Sequence, residues 1–164
     1  MVGTRLLSEQ FVRNRFPQLN YIRIHTASKH KATIYAWNEN LQLPEKDAQN
    51  LQLYANDYLY PYACYQVKAY HQVVDDQVPL IPEVPEAIIQ AAKRRDLNQF
   101  GILEAMNRLF PNGRMSFAKY DAAEGLIYFD FHAIRLVSER DKERMYHCLN
   151  ELIPLGSYCE ITCH

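Results

Sequence analysis

The stretch Arg114–His164, RMSFAKYDAAEGLIYFDFHAIRLVSERDKERMYHCLNELIPLGSYCEITCH, decides the fold. Met115–Tyr120 and Leu126–His132 are rich in apolar and aromatic residues, and the segment Asp121–Gly125 between them turns the chain into a hairpin. Ser138, with Asp141 three residues on, opens a helix in the manner of a capping box. Met145, Cys148, Leu149 and Leu152 recur at helical spacing and supply its buried stripe. Pro154 and Gly156 stop that helix, and Tyr158–Cys163 alternates as a closing strand.

Tyr21–Tyr70 repeats the order strand, strand, helix, strand. Tyr21–Thr26 alternates, Ser28–Lys31 is a polar turn, and Thr33–Trp37 returns as a second strand. Pro44 suits the first position of a helix, where its missing N–H costs nothing, and Glu45 and Asp47 complement the positive helix end. Ala48, Leu51, Ala55 and Leu59 form its stripe, Pro61 closes it, and Tyr65–Tyr70 is a third strand. Each set follows a helix, expected over Ser8–Phe16 with Ser8 as N-cap and over Glu86–Phe110 with a break at Asp96–Asn98. The match has a near-constant offset: Ile34-Tyr35 with Ile127-Tyr128, Leu43 with Leu136, Leu59 with Leu152 and Pro61 with Pro154, all 93 apart, and Phe16-Pro17 with Phe110-Pro111, 94 apart. Shared punctuation of this kind is what internal repeats retain.

The expected fold class is α+β: two tandem αββαβ halves from an internal duplication, antiparallel sheet with helices on one face, and ferredoxin-like order in the C-terminal part. The expected organisation is an N-terminal half over 1–72, a Pro-rich connection over 73–85 and a C-terminal half over 86–164, together one unit. The order of elements permits one shared sheet or two.

Composition narrows the function. Hydrophobic residues make up 48% of the 164 and charged residues 23%, a globular balance. A net charge of −1 argues against binding nucleic acid by counterion release. No apolar run reaches the roughly 18 residues of a membrane span, and the N-terminus lacks the apolar stretch of a secretory leader. These point to a cytoplasmic protein in which Cys64, Cys148, Cys159 and Cys163 are free thiols.

Alternation assigns the strand residues to two faces. Ile22, Ile24, Ile34, Ala36, Val67, Met115, Phe117, Ile127, Phe129, Phe131, Cys159, Ile161 and Cys163 face the helices. Arg23, His25, Tyr35, Trp37, Lys68, Tyr70, Tyr128, Asp130, His132, Glu160, Thr162 and His164 face away. A face rich in Tyr, Trp and His with mixed charge is a contact surface in composition, although cross-strand aromatics also serve to hold a sheet together.

Catalytic motifs are missing. The five glycines are scattered and build no phosphate loop. Cys159 and Cys163, four apart on a strand, sit roughly 13 Å from each other, too far to share a zinc ion, and His164 points to the opposite face. His147 and Cys148 splay apart on a helix. Asp130 and His132 leave the same face roughly 6.6 Å apart, a gap a metal could bridge with Glu160, His164 or His25 as further ligands. No cofactor and no metal are expected. The leading expectation is a small binding or regulatory protein acting through a protein partner or a second copy of itself. The alternatives are a small-molecule sensor with an aromatic cleft between the halves and a metal-dependent enzyme built on the Asp-x-His pair.

Overall fold

The computed structural model describes residues 3–164. The first half runs α1 (Arg5–Arg15), β1 (Tyr21–Ser28), β2 (Lys31–Trp37), α2 (Glu45–Tyr58) and β3 (Cys64–Lys68). A connecting region carries α3 (Tyr70–Asp75) and α4 (Glu86–Ala92). The second half runs α5 (Gln99–Leu109), β4 (Gly113–Asp121), β5 (Leu126–Ala133), α6 (Glu139–Leu152) and β6 (Tyr158–Cys163). The chain is thus α+β with two similar halves, and the helical break expected at Asp96–Asn98 is a full separation into α4 and α5.

Each half owns a three-stranded sheet, in the orders β1-β2-β3 and β4-β5-β6. The expected antiparallel pairing holds within each hairpin, but the third strand lies parallel to the middle one. The helix between them forces this: α2 and α6 carry the chain back to the end it left, so the next strand repeats the direction.

The two halves match in register and in their helix ends. Ile34 sits between Ile24 and Val67, and Phe129 between Phe117 and Ile161. Helices α1 and α5 end on Phe16 and Phe110, whose backbones adopt φ/ψ of −124°/67° and −122°/72° and whose N–H groups donate to Val12 and Met106. The counterparts are therefore 94 apart in these helices and 95 apart in the middle strands. The sequence offset of 93 for Ile34–Ile127 is two residues out, which keeps the face because strand side chains alternate with period two.

Helix α1 begins earlier than expected. Thr4, not Ser8, is the N-cap, its Oγ1 accepting from the Leu7 N–H. The apolar stripe starts at Leu7, one turn before Phe11, so Ser8 lies inside the helix and is buried. The cap at Ser138 is as read, its Oγ accepting from the Asp141 N–H.

Helices cover one face of each sheet. Val12, Leu51 and Ala55 pack on Ile22, Ile24, Ile34 and Ala36 in the first core. Met106, Met145 and Leu149 pack on Met115, Phe129 and Phe131 in the second. Phe117 departs from its expected burial at 37% exposure, because a bulge between Phe117 and Lys119 lifts that end of β4. The halves also exchange contacts: Leu155 enters the first core and Leu6 packs on the second. Gly156 at φ +79° lets its carbonyl accept from the His30 N–H at 2.8 Å, a backbone conformation and closeness that glycine alone tolerates well.

Candidate functional site

The outward residues of the two sheets meet different fates. In the first half, the chain from Tyr70 to Pro82 returns over the outer face. Tyr35 donates to Asp76 Oδ2 at 2.8 Å, Lys68 reaches the same oxygen at 2.7 Å, and Arg23 donates to the Pro79 carbonyl. Trp37 stacks on Tyr21 at 3.9 Å and meets Tyr70 edge-on at 4.9 Å. Tyr70 is not a strand residue as expected but begins α3. Tyr35 is 2% exposed and Arg23 8%. Burial, reinforced by Asp76, pushes the Tyr35 phenol up to about 12, and burial beside Arg23 lowers the His25 pKa. Tyr35 and Arg23 of the expected surface are therefore internal, while His25, Trp37 and Lys68 are half-buried and Tyr70 is exposed: alternation tells which side a residue leaves, not whether another segment covers it.

Between the halves lies a cavity of about 280 Å³ walled by Arg23, His25, Leu80, Ile81, Ile153 and Tyr158, among others. An aromatic cleft was expected between the halves, but this one is aliphatic more than aromatic, because Pro79–Pro82 form one wall. The Arg23 Nε is itself buried, without a hydrogen-bond partner among the described residues.

In the second half no element lies over the outer face among the described residues. Asp130, flanked by Ser116 and Thr162, stands at the centre of the sheet. His132 lies beyond it on β5, with Arg114 opposite. The Phe131–Cys163 pairing sets His164 alongside His132. His164 Nε2 is 3.2 Å from Asp130 Oδ1, and the two imidazole rings stack at 4.8 Å with an 18° tilt. One ligand atom from each of Asp130, His132 and His164 lies within 4.8 Å of the others. Further along, Tyr128 sits beside Glu160 and under the Lys119 ammonium, 4.7 Å from its ring centre.

Of the ligands entertained for the Asp-x-His pair, the structure brings in His164 but not Glu160, which neighbours Tyr128, nor His25, which lines the cavity. All four cysteines are free. Cys159 and Cys163 face the helix side, and burial pushes the Cys159 thiol up to about 12.

Sequence reading missed a buried charge cluster joining the halves. Arg5 grips Glu151 of α6 at 2.6 and 3.3 Å and Glu9 of its own helix at 3.0 and 3.1 Å, while Glu9 Oε1 accepts from the Ile24 N–H. The i,i+4 spacing of Arg5 and Glu9 was a signal for one pair, but nothing local announces Glu151.

The sequence matches no family model and no curated protein. Among solved structures it is similar to the periplasmic domain of the T3SS inner membrane protein PrgH from S. typhimurium, at 15% identity over 98% of this chain and 69% of that one, with a TM-score of 0.34. A second PrgH periplasmic domain structure gives 17% identity over 94% and 67%, with a TM-score of 0.33. A longer fragment of the S. typhimurium domain gives 15% over 94% and 66%, with a TM-score of 0.31. These neighbours are described as periplasmic domains, at odds with the cytoplasmic setting expected above, which is withdrawn. That expectation rested on a missing apolar leader, and such an absence fixes no compartment.

Proposed function

We propose that the chain is a protein-contact domain and that its contact surface is the outer face of the second sheet. One observation supports this above others: the chain covers the outer face of its first sheet and leaves the equivalent face of the second open. The open face offers Tyr128, His132 and His164 as flat rings among Arg114, Lys119, Asp130 and Glu160, a mixture suited to specific contact. Photo-crosslinking tests it. With p-benzoylphenylalanine at Tyr128 or Thr162, a discrete protein adduct is expected in cells, and none with the group at the α2 helix position Asn56. An adduct of twice the 19.3 kDa chain mass identifies the partner as a second copy. Equal labelling at all three positions, or none on the sheet, refutes the surface.

The cavity between the halves supports a second reading, a small organic anion held by Arg23. Arg23 lines that cavity at 8% exposure, and a guanidinium with so little water around it gains from an anionic acceptor. The surrounding aliphatic wall suits a carboxylate with a short apolar tail. Short-chain carboxylates should raise the melting temperature of the wild type and leave Arg23→Met unmoved; identical responses exclude the reading.

A further inference from the structure

We propose that Asp130, His132 and His164 form a binding site for one divalent transition-metal ion. The backbone places the three side chains before any ion arrives. Asp130 and His132 are two apart on β5 and leave the same face, and the parallel pairing of β6 brings His164 next to His132. Asp130 and His132 stand on β5, and His164, the residue after β6, is held beside them by backbone hydrogen bonds, its N–H donating to Phe131 and its carbonyl accepting from Ala133, so side-chain rotation is what separates the ligands from a common centre.

The distances fit a small ion. Four ligands at about 2.0 Å from a tetrahedral zinc are about 3.3 Å from each other, and His164 Nε2 is 3.2 Å from Asp130 Oδ1. His132 completes the set within 4.8 Å. Drawing its nitrogen in asks for a turn of one exposed imidazole about its side-chain bonds, a low-cost rotamer adjustment. Two imidazoles and one carboxylate select zinc, cobalt, nickel or copper over calcium and magnesium, which want oxygen alone. With three protein ligands, the remaining position falls to water.

A hydrogen bond between His164 and Asp130 accounts for one contact of the three, and leaves unexplained why a second imidazole stacks beside the first. Neighbouring charges bear on the site. Arg114 pairs with His132 across β4 and opposes a dication, while Asp130 and Glu160 of the same face offset it. The site is independent of the protein-contact reading, because it is complete within one chain and is tested on that chain alone.

Titration of the metal-free full chain with zinc, followed by native mass spectrometry and calorimetry, should show one ion per chain. Cobalt at the same site should give the intense visible bands of a tetrahedral centre. His132→Ala and His164→Ala should each weaken binding at least tenfold, and the double variant should abolish the cobalt bands. Circular dichroism of the variants checks that the sheet is intact, as expected for exposed positions. No bound ion at about 0.1 mM free zinc, an affinity bound near the weak end of specific binding, overturns the proposal. So does undiminished one-to-one binding by the double variant, which would put the ion on His25, His30, His71 or His147.

Discussion

Replacing Arg5 with methionine should separate the two halves' shared charge cluster and cost about 3–5 kcal/mol, the penalty of leaving a buried charge without its partner. Arg5, Glu9 and Glu151 have side chains 14%, 3% and 10% exposed, so water does little to screen them. Burial pulls the Arg5 pKa down, but the Glu151 hydrogen bond and the charges of Glu9 and Glu151 outweigh it and leave it raised. One cation between two carboxylates cannot satisfy both. Glu9 carries the deficit: burial raises its pKa despite Arg5, the Ile24 N–H and the more distant, exposed Arg13. The sign follows. A carboxyl whose folded pKa is raised stabilises the fold most when protonated, and that contribution is lost as pH climbs from the ordinary carboxylate range through the raised value. Glu9→Gln, which keeps an oxygen for Ile24 and leaves Arg5–Glu151 as a neutral pair, should therefore lie within about 1 kcal/mol of the wild type or above it at pH 7. Its advantage should vanish in acid. For a chain of this size, about 2–4 °C of melting temperature accompanies each kcal/mol, so Arg5→Met should melt roughly 6–20 °C lower. Urea denaturation of both variants from pH 4 to 8 reads all of this. Arg5→Met losing under about 1 kcal/mol, or Glu9→Gln proving as damaging as Arg5→Met, would show that Arg5 is not the buried charge holding the cluster together.

Three further outcomes are expected. Leu149→Ala, at a position with no solvent exposure in the second core, should cost about 2–5 kcal/mol in urea denaturation; a smaller loss would mean the second core is loosely packed. Gly156→Ala should cost about 1–2 kcal/mol from left-handed strain alone, and more because its Cβ would stand 3.0 Å from His30 Cα, with hydrogen exchange rising at the His30 amide. Among the thiols, exposed Cys64 should react with a disulfide reagent first and Cys159 slowly, since a pKa of about 12 leaves roughly one thiolate in 10⁴ at pH 8; peptide mapping that finds Cys159 modified as fast as Cys64 contradicts its burial.

Most of the fold was legible because its signals are local. Strand alternation put Ile22, Ile24, Ile34, Met115 and Phe129 against the helices, and the residues that punctuate helices exposed the repeat through Phe16-Pro17 and Phe110-Pro111. What failed was non-local. The alternation of Tyr35 and Arg23 is correct, yet both are buried from the other side by a segment some 40 to 60 residues downstream. The Asp130 and His132 pair could be read from spacing on one strand. Its third member could not be chosen among His164, Glu160 and His25 until the strand order placed β6 parallel to β5. Arg5–Glu151 joins residues 146 apart and had no sequence signature at all.

The two halves show why one outer face closes and the other stays open. Tyr35 and Asp130 are structural counterparts, each at the centre of its sheet between the residue pairs Arg23/Lys68 and Ser116/Thr162. Trp37 and His132 are counterparts one step further along. Tyrosine and tryptophan carry large apolar surface with one polar tip, so the folded chain gains by laying its own 70–82 segment over them, provided the tip is met, as Asp76 meets the Tyr35 hydroxyl. A carboxylate and a histidine at the same positions reverse the balance. Covering them with a Pro-rich strap would strip water from a charge and return little area. Whatever does cover Asp130, His132 and His164 must bring compensation with it, in the polar groups of a protein partner or the charge of a metal ion. The duplication supplied one scaffold twice; the residues at two equivalent positions on each middle strand then directed one copy inward and the other out.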